Sequence, residues 1–123
     1  LGATTSSKFN VQTPDFIAKT GIRAVIGKGG MDHTCLEAMK EHGCVYLAIS
    51  GGCSAVYTPA SKITDDYWPE LMPTDNQRLK FELNEFGPLF VAMDAHGNSL
   101  YEQNAHVAQD NLPEMYKKLG IEV

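Results

Sequence analysis

The segment with the clearest potential for chemistry is Gly-Lys-Gly-Gly at residues 27–30. A short apolar run at residues 22–26 precedes it and predicts a buried strand. Asp32 or Thr34 is suited to cap a following helix, and Glu37 would complete a capping box with Thr34. A helix start after a glycine loop favours an anion, because free backbone N–H groups point outward there. Lys28 adds a positive charge, so a phosphate or a carboxylate would suit this loop.

A second interpretation of the same loop is purely structural. The Gly-x-x-x-x-Gly-Lys-Ser/Thr spacing of a P-loop is absent. Glycine is also the default residue of tight turns, whether or not a ligand binds. The loop by itself is therefore compatible both with an anion site and with a strand-to-helix turn that carries a solvated lysine.

Length and charge limit the class of protein. The chain has 123 residues, a net charge of −5 and 43% hydrophobic residues, which suits a single domain with its own core. The acidic balance and the absence of a basic run argue against a nucleic-acid surface. No apolar stretch is long enough for a membrane span, and no signal peptide is visible. The chain begins at Leu1 and not at Met, so we expect residues 1–123 to be one domain from a fragment, a processed chain or a trimmed chain.

Three cysteines occur, at Cys35, Cys44 and Cys53. Their odd number and wide spacing match neither a disulfide framework nor a zinc or iron–sulfur pattern. We expect buried or half-buried free thiols in a reducing, cytoplasmic compartment.

Periodicity predicts an α/β fold in the first half of the chain. Thr13 as N-cap, Pro14 and a terminal Gly21 predict a short helix. A second helix is predicted at residues 32–42 and a second strand at residues 45–50. Two strands joined by a helix should be parallel, which places both glycine-rich strand ends, including Gly51 and Gly52, at one edge of the sheet.

The second half predicts further strands and one helix. Residues 61–70 suggest a strand-like connector, residues 79–83 alternate as a half-buried strand does, and residues 89–93 form an apolar strand. Leu100 and Tyr101 suggest a last short strand. The final helix is predicted to start near Asn111, with Pro113 in its first turn and Gly120 at its end.

Histidine and threonine side chains offer weaker signals. His33 directly follows the glycine loop and is placed to touch a ligand there. His96 lies between Asp94 and Asn98, a pattern that favours a local Asx-type turn. A threonine hydroxyl is a poor base in water, so Thr4 and Thr5 taken alone are more typical of a structural loop.

Several ordered motifs together resemble one family, the iron–sulfur hydro-lyases of the class I fumarate hydratase and L-tartrate dehydratase type, in their β subunit or C-terminal domain. The Thr-Thr-Ser of residues 4–6 resembles that family's Gly-Pro-Thr-Thr-Ser segment. The remaining matches are Gly-Lys-Gly-Gly-Met at residues 27–31, Tyr-Leu-Ala at 46–48 with Gly-Gly at 51–52, and Asp-Ala-His-Gly-Asn-Ser-Leu-Tyr at 94–101. Order and spacing hold from residue 2 to about residue 101.

The resemblance implies a swivelling β/β/α domain whose mixed sheet has a parallel βαβ core. It implies reversible hydration of a small dicarboxylate, fumarate to malate in the first place or tartrate to oxaloacetate. A [4Fe-4S] cluster with one open iron would be held by the cysteines of a partner α subunit. The assembly would be a hetero-oligomer or a homodimer of β subunits. The matching residues would make Thr4 the catalytic base, with Thr5, Lys8, Lys28 and Gly29 binding substrate.

Two positions depart from the family pattern, and the resemblance also implies that residues 1–123 lack an N-terminal segment that the family's β subunit carries. Lys8 stands where the family usually has arginine, so a bidentate grip on a carboxylate is replaced by a point charge. Ala3 replaces the usual proline, which loosens the loop before Thr4. The alternative function is a stand-alone carboxylate- or phosphate-binding module that uses the Gly-Lys-Gly-Gly loop.

Overall fold

A computed structural model describes residues 4–50, 52, 54–70 and 78–121. The elements follow in the order α1 (Thr13–Thr20), β1 (Ala24–Lys28), α2 (His33–His42), β2 (Val45–Ile49), β3 (Ser61–Tyr67), β4 (Arg78–Leu83), β5 (Phe90–Met93) and α3 (Leu100–Leu119), with 3₁₀ helices at Ser6–Phe9 and Ser54–Ala60. The described strands form one three-stranded sheet in the order β1-β2-β5 and one two-stranded sheet, β3-β4. The predicted α/β class with a mixed sheet is confirmed; the swivelling-domain assignment stays a prediction.

The parallel βαβ core is also confirmed. Strands β1 and β2 run parallel, with Ala24 opposite Val45 and Lys28 opposite Ile49, whereas β5 is antiparallel to β2. The carboxyl ends of β1 and β2 therefore meet at one edge of the sheet. Strand β1 ends two residues later than predicted, so Gly27 and Lys28 belong to the strand.

One apolar cluster joins the helices to the sheet. It contains Ile17 of α1, Leu36 and Met39 of α2, Tyr46 of β2 and Met93 of β5, all of them buried. The buried side chains of α2 recur at spacings of three and four residues, which is the period of one helix face. Burial of this face fixes α2 against the sheet and thereby fixes the loop that connects it to β1.

Helix ends agree with the sequence signals in part. Gly21, Gly43 and Gly120 are the C-caps of the three α-helices, each in the left-handed region. Helix α2 begins after Asp32, whose side chain accepts a hydrogen bond from the Cys35 amide, so the predicted Thr34–Glu37 capping box is wrong. The predicted N-cap of α1, Thr13, is instead the first residue of the helix, and the N-cap is Gln12. The Thr13 hydroxyl donates to the Phe9 carbonyl.

The C-terminal helix is where the prediction was wrong over the longest stretch. Residues Leu100 and Tyr101 open helix α3 instead of forming a strand, and Pro113 lies inside the helix instead of in its first turn. The cause is Ser99, a buried N-cap whose side chain accepts from the Glu102 amide. The sequence did not predict the first half of this helix, because residues 102–110 are mostly polar. Most of α3 lies on the surface, so its hydrophobic residues show little helical periodicity.

The hairpin of β3 and β4 is a separate, largely exposed unit. Ile63 lies opposite Phe81 in the antiparallel pair, and these side chains are 56% and 38% exposed. The strand at residues 79–83 is confirmed, but its alternate residues are more exposed than the half-buried pattern predicted. Among the described residues no helix is long and apolar enough to cross a membrane.

Candidate functional site

The fold brings the threonine segment onto the end of β1. Thr5 forms an isolated parallel bridge with Lys28, although the two residues are 23 positions apart. This bridge continues the sheet for one residue beyond β1 on the side away from β2. Thr4 and Thr5 therefore lie at the same sheet edge as Lys28 and Gly29.

A chain of hydrogen bonds fastens this contact. The Lys28 amide donates to the Ser6 hydroxyl oxygen at 3.1 Å. The Tyr46 hydroxyl lies 3.0 Å from the same Ser6 oxygen and 2.8 Å from the Gly29 carbonyl oxygen. Tyr46 is fully buried, and burial raises the pKa of its phenol, so the side chain stays protonated and remains a donor.

Glycine is required at two positions of the loop. A Cβ at Gly27 would collide with the Ser6 hydroxyl and would lie 2.6 Å from the Tyr46 hydroxyl. Gly29 has a φ of +75°, a conformation that side chains rarely adopt, and its Cβ position lies 3.3 Å from the Thr5 methyl group. The glycines thus allow the threonine segment to approach the backbone of residues 27–29 directly.

The Asp94–Tyr101 motif supports the loop from the other side. The Asp94 carboxylate accepts from the amides of His96 and Asn98, which confirms the predicted Asx-type turn. Hydrogen bonding, mainly from Asn98, lowers the pKa of Asp94. The turn delivers Tyr101 to the loop, where its ring lies 3.0 Å from the Cβ position of Gly30.

His33 is held by acids and not directed at the loop. Its Nδ1 lies 3.0 Å from the Glu102 carboxylate, and its Nε2 lies 3.8 Å from Glu37. The pair with Glu102 ties the first residue of α2 to the first turn of α3. His33 is therefore better explained as a brace between helices than as a ligand-binding group.

The start of α2 is less open to an anion than the sequence suggested. The Asp32 carboxylate accepts from the Cys35 amide and from the Thr34 hydroxyl, and the Thr34 bond is the main cause of its lowered pKa. A carboxylate of the protein thus already uses part of the helix N-terminus. Positive charge from Lys28, more than the helix dipole, would have to hold an anion here.

The two lysines are placed differently. Lys28 is half-buried at the end of β1, and Lys8 is exposed in the last turn of the 3₁₀ helix Ser6–Phe9. Within residues 4–50, 52, 54–70 and 78–121, neither lysine side chain has an acidic partner within salt-bridge distance. Both ammonium groups are therefore available to a ligand, and Lys8 stays near the site through its amide, which donates to the Thr5 carbonyl at 3.3 Å.

A cavity of about 610 Å³ lies beside the threonine segment. Thr4, Ser6 and Gly27 form its polar side, and Phe9 and Phe16 contribute to its apolar side. Arg78 also lines it, a cation that the sequence alone did not single out. The cavity is large enough for a four-carbon diacid and has the mixed lining typical of small-molecule sites.

Neither of the two described cysteines is among the residues that line the cavity. Cys35 and Cys44 are buried free thiols, as expected, and Cys53 lies outside the described residues. Burial raises the pKa of Cys35 to about 12 and raises that of Cys44, which disfavours the thiolate that binds metal. In the part of the chain that the structure describes, no group of three or more His, Cys, Asp or Glu side chains could hold a metal ion.

Sequence reasoning missed the residues that assemble the site. Ser6 and Tyr46 were part of the family motifs, but neither residue received a role of its own from them. Glu102 carried no signal at all, because its partner His33 is 69 residues away. All three act through contacts between distant parts of the chain, and a local sequence pattern does not predict such contacts.

The fold and the site place this chain in a known class. The family model described as Fumarase C-terminus matches residues 1–104, so the chain belongs to that family. The resemblance drawn from the motifs, to the β subunit of class I fumarate hydratase and tartrate dehydratase, is thereby confirmed.

Named relatives fall into the same class. A protein of Methanocaldococcus jannaschii, provisionally named L(+)-tartrate dehydratase subunit beta, is 40% identical over 116 residues, which cover 94% of this chain and 60% of that protein. The L(+)-tartrate dehydratase subunit beta of Escherichia coli K12 is 34% identical over 106 residues, 85% of this chain and 52% of its own length. A Geobacillus stearothermophilus protein, provisionally named fumarate hydratase class I, is 40% identical over 103 residues, 82% of this chain and 20% of that protein. The chain thus spans between half and two thirds of the two subunits.

Proposed function

We propose that this chain is the β part of a hydro-lyase that adds water to, or removes it from, a small dicarboxylate. The reaction would be fumarate to malate, or tartrate to oxaloacetate. The observation that carries this proposal is the bridge between Thr5 and Lys28. It places the two threonine residues beside a lysine at the edge of the sheet, in a chain that belongs to this family. Relatives named for each of the two reactions support the class of substrate without choosing between the two diacids.

Charge at the site supports a dianionic substrate. Lys28 and Lys8 flank the threonine segment, and Arg78 lines the neighbouring cavity. Two cationic groups can each hold one carboxylate, and a charged hydrogen bond of this kind contributes about 1.5–3 kcal/mol. Lys8 would bind a carboxylate as a point charge, whereas the arginine usual in the family would bind it through two parallel hydrogen bonds.

Thr4 is the residue that we assign to proton transfer. In dehydration, the Thr4 alkoxide would take the proton from the carbon next to the one that carries the hydroxyl, and the carbon–oxygen bond would break as the double bond forms. The departing hydroxide would take up that proton from Thr4 and leave as water, and hydration would run these steps in reverse. The Thr4 hydroxyl must lose its own proton first, and the positive charge of Lys28 would favour the alkoxide. Thr5 and Gly29 would hold and orient a carboxylate, since Thr5 is bridged to Lys28, the residue before Gly29.

The proposal places an iron–sulfur cluster on a partner subunit. The described part of this chain provides no group of metal-ligating side chains, and its two described cysteines are buried and protonated. A name ending in subunit beta, as two relatives carry, goes with a second subunit. We therefore expect activity only from the assembled pair.

The test is reconstitution. The chain and the cluster-bearing subunit encoded with it are co-expressed and purified without oxygen, and turnover is measured on fumarate, malate and tartrate. We expect water addition or loss on at least one diacid by the pair and none by either subunit alone. Diacid or phosphate binding by this chain without turnover by the pair would contradict the proposal and support the simple anion-binding module.

A further inference from the structure

The described hydrogen bonds around Ser6 have a defined direction. The Gly29 carbonyl oxygen can only accept, so the single Tyr46 hydroxyl proton is donated to it over 2.8 Å. The Ser6 hydroxyl then donates to the Tyr46 oxygen over 3.0 Å, and the Ser6 oxygen accepts from the Lys28 amide over 3.1 Å. One chain of bonds thus runs from the Lys28 amide through Ser6 and Tyr46 to the Gly29 carbonyl.

The tyrosine in this chain of bonds is fully buried, whereas Ser6 is half-buried and also lines the cavity. Tyr46 is 0% exposed and projects from β2, beneath the loop that carries Lys28 and Gly29. Gly27 leaves no room for a Cβ between Ser6 and Tyr46. The phenol therefore has one fixed position, and Ser6 is fixed by it on one side and by the β1 backbone on the other.

Ser6 is also the residue next to the two threonines. Thr5 bridges Lys28, and Thr4 lines the cavity together with Ser6 and Gly27. Among the described contacts, the Ser6 oxygen supplies the side-chain bond that joins the threonine segment to β1. The position of the Thr4 hydroxyl relative to Lys28 thus depends on a side chain that is not itself assigned any chemistry.

We propose that Ser6 and Tyr46 are positioning residues that hold Thr4 at its working distance from Lys28 and the substrate. This inference rests on the proposed function for its catalytic consequence. A misplacement of about 1 Å in a reacting group lowers a rate by up to about a hundredfold. The two residues act on turnover, whereas substrate affinity stays with Lys28 and Lys8.

The structure offers a matched control for the tyrosine. Tyr57 is 5% exposed, and its hydroxyl donates to the Pro88 carbonyl over 2.8 Å. Tyr46→Phe and Tyr57→Phe therefore each remove one buried tyrosine-to-carbonyl bond, but only the first lies at the site. Because Tyr46→Phe also removes the bond with Ser6, its loss of thermal stability is expected to be the larger of the two.

The kinetic experiment uses the reconstituted pair of subunits. Tyr46→Phe and Ser6→Ala should each lower kcat about tenfold or more, with KM changed less than about threefold, and Tyr57→Phe should leave both constants unchanged. The double variant Ser6→Ala/Tyr46→Phe should lose little more than the worse single variant, because both break one chain. Equal kcat losses in Tyr46→Phe and Tyr57→Phe, or losses that multiply in the double variant, would overturn the proposal.

A second readout does not require turnover. Hydrogen exchange of the Lys28 amide in the assembled complex should be faster in Ser6→Ala and unchanged in Tyr57→Phe. If the wild-type pair hydrates no diacid, the proposed function fails, and the exchange result still decides whether Ser6 fastens the two segments. Unchanged Lys28 exchange in Ser6→Ala would overturn the positioning role whatever the activity.

Discussion

At the scale of single residues, Thr4 is the most informative position. Its hydroxyl is exposed, lies at the open sheet edge and lines the cavity, so it is free to meet a substrate. A threonine hydroxyl in a surface loop is a poor base unless a neighbouring group activates it. For the proposed role of Thr4 as a base, Lys28, which is bridged to the adjacent Thr5, would supply the positive charge that is required.

Thr4→Val tests that role with a nearly isosteric side chain. We expect turnover to fall by about 10²-fold or more, the low end for general base catalysis, with a smaller change in substrate binding. Steady-state kinetics of the pair and exchange of the substrate's carbon-bound hydrogen with solvent measure the two effects. Thr64→Val, in the exposed strand β3, is the matched control. Normal hydrogen exchange in Thr4→Val would show that another group is the base.

Lys28→Met tests the anchor. The side chain is half-buried and lacks an acidic partner among the described residues, so its removal should cost little stability. Loss of one charged hydrogen bond should weaken diacid binding by about 1.5–3 kcal/mol. Binding is measured by calorimetry, with Lys62→Met in the exposed hairpin as control. Unchanged affinity and turnover would remove Lys28 from the substrate site.

At the scale of elements, the end of β1 is constrained more tightly than a loop. Gly27 belongs to a strand and is enclosed by Ser6 and Tyr46. Its neighbour Gly29 adopts a positive φ and touches Thr5. The glycines therefore serve the contact between two chain segments, a stronger requirement than the backbone geometry of a turn.

Gly27→Ala should break this contact. The added Cβ would lie 2.6 Å from the Tyr46 hydroxyl and would overlap the Ser6 side chain. Overpacking of this kind costs about 1–3 kcal/mol of unfolding free energy. Urea denaturation measures the loss, and Gly87→Ala is the control, because the nearest atom to its Cβ position is 3.7 Å away. Equal stability of the two variants would mean that the segment is not held as described.

The start of helix α2 gives a pH dependence with a definite sign. Hydrogen bonds, chiefly from Thr34, lower the pKa of Asp32 in the folded chain below its ordinary value of 3.8. The stabilisation is therefore complete above that value and is lost as the pH falls through the lower, folded-state pKa. Asp32→Asn keeps an N-cap but cannot titrate. Its unfolding free energy should vary less between pH 5 and about pH 2 than that of the wild type; identical pH profiles would contradict the assignment.

At the scale of the whole molecule, much apolar surface remains uncovered. The apolar side chains of the β3–β4 hairpin and of α3 include Ile63, Trp68, Leu112, Met115 and Leu119, which are 43–66% exposed. The chain spans 60% and 52% of two relatives' lengths. Exposed apolar patches of this kind are typical of surfaces that pack against other protein.

The proposed placement of the cluster on a partner subunit predicts that the cysteines of this chain bind no iron. Replacing Cys35, Cys44 and Cys53 by alanine in the reconstituted pair should leave the iron content per complex unchanged. Some loss of stability is expected, because Cys35 and Cys44 are fully buried. Iron is measured together with circular dichroism as the check on folding. A folded variant that has lost its iron would place cluster ligands in this chain.

Hydrophobic periodicity and the residues that begin and end helices determined the elements of the first half of the chain. Apolar runs, an acidic or proline-containing helix start and a glycine at each helix end are local signals, and they predicted α1, α2, β1 and β2 with shifts of one or two residues. The parallel pairing followed as well, because a helix between two strands leaves few other arrangements. The family motifs added the site residues Thr4, Thr5, Lys8, Lys28 and Gly29.

Only the tertiary structure decided how those residues are held. The bond from Ser6 to the Lys28 amide spans 22 positions, and the contact of Tyr46 with Ser6 spans 40. Long-range contacts depend on the packing of whole elements, so no local pattern encodes them. The start of α3 at Leu100 escaped prediction for a related reason. A single buried N-cap, Ser99, set it, whereas hydrophobic periodicity reports only a face that is buried, and α3 lies largely on the surface.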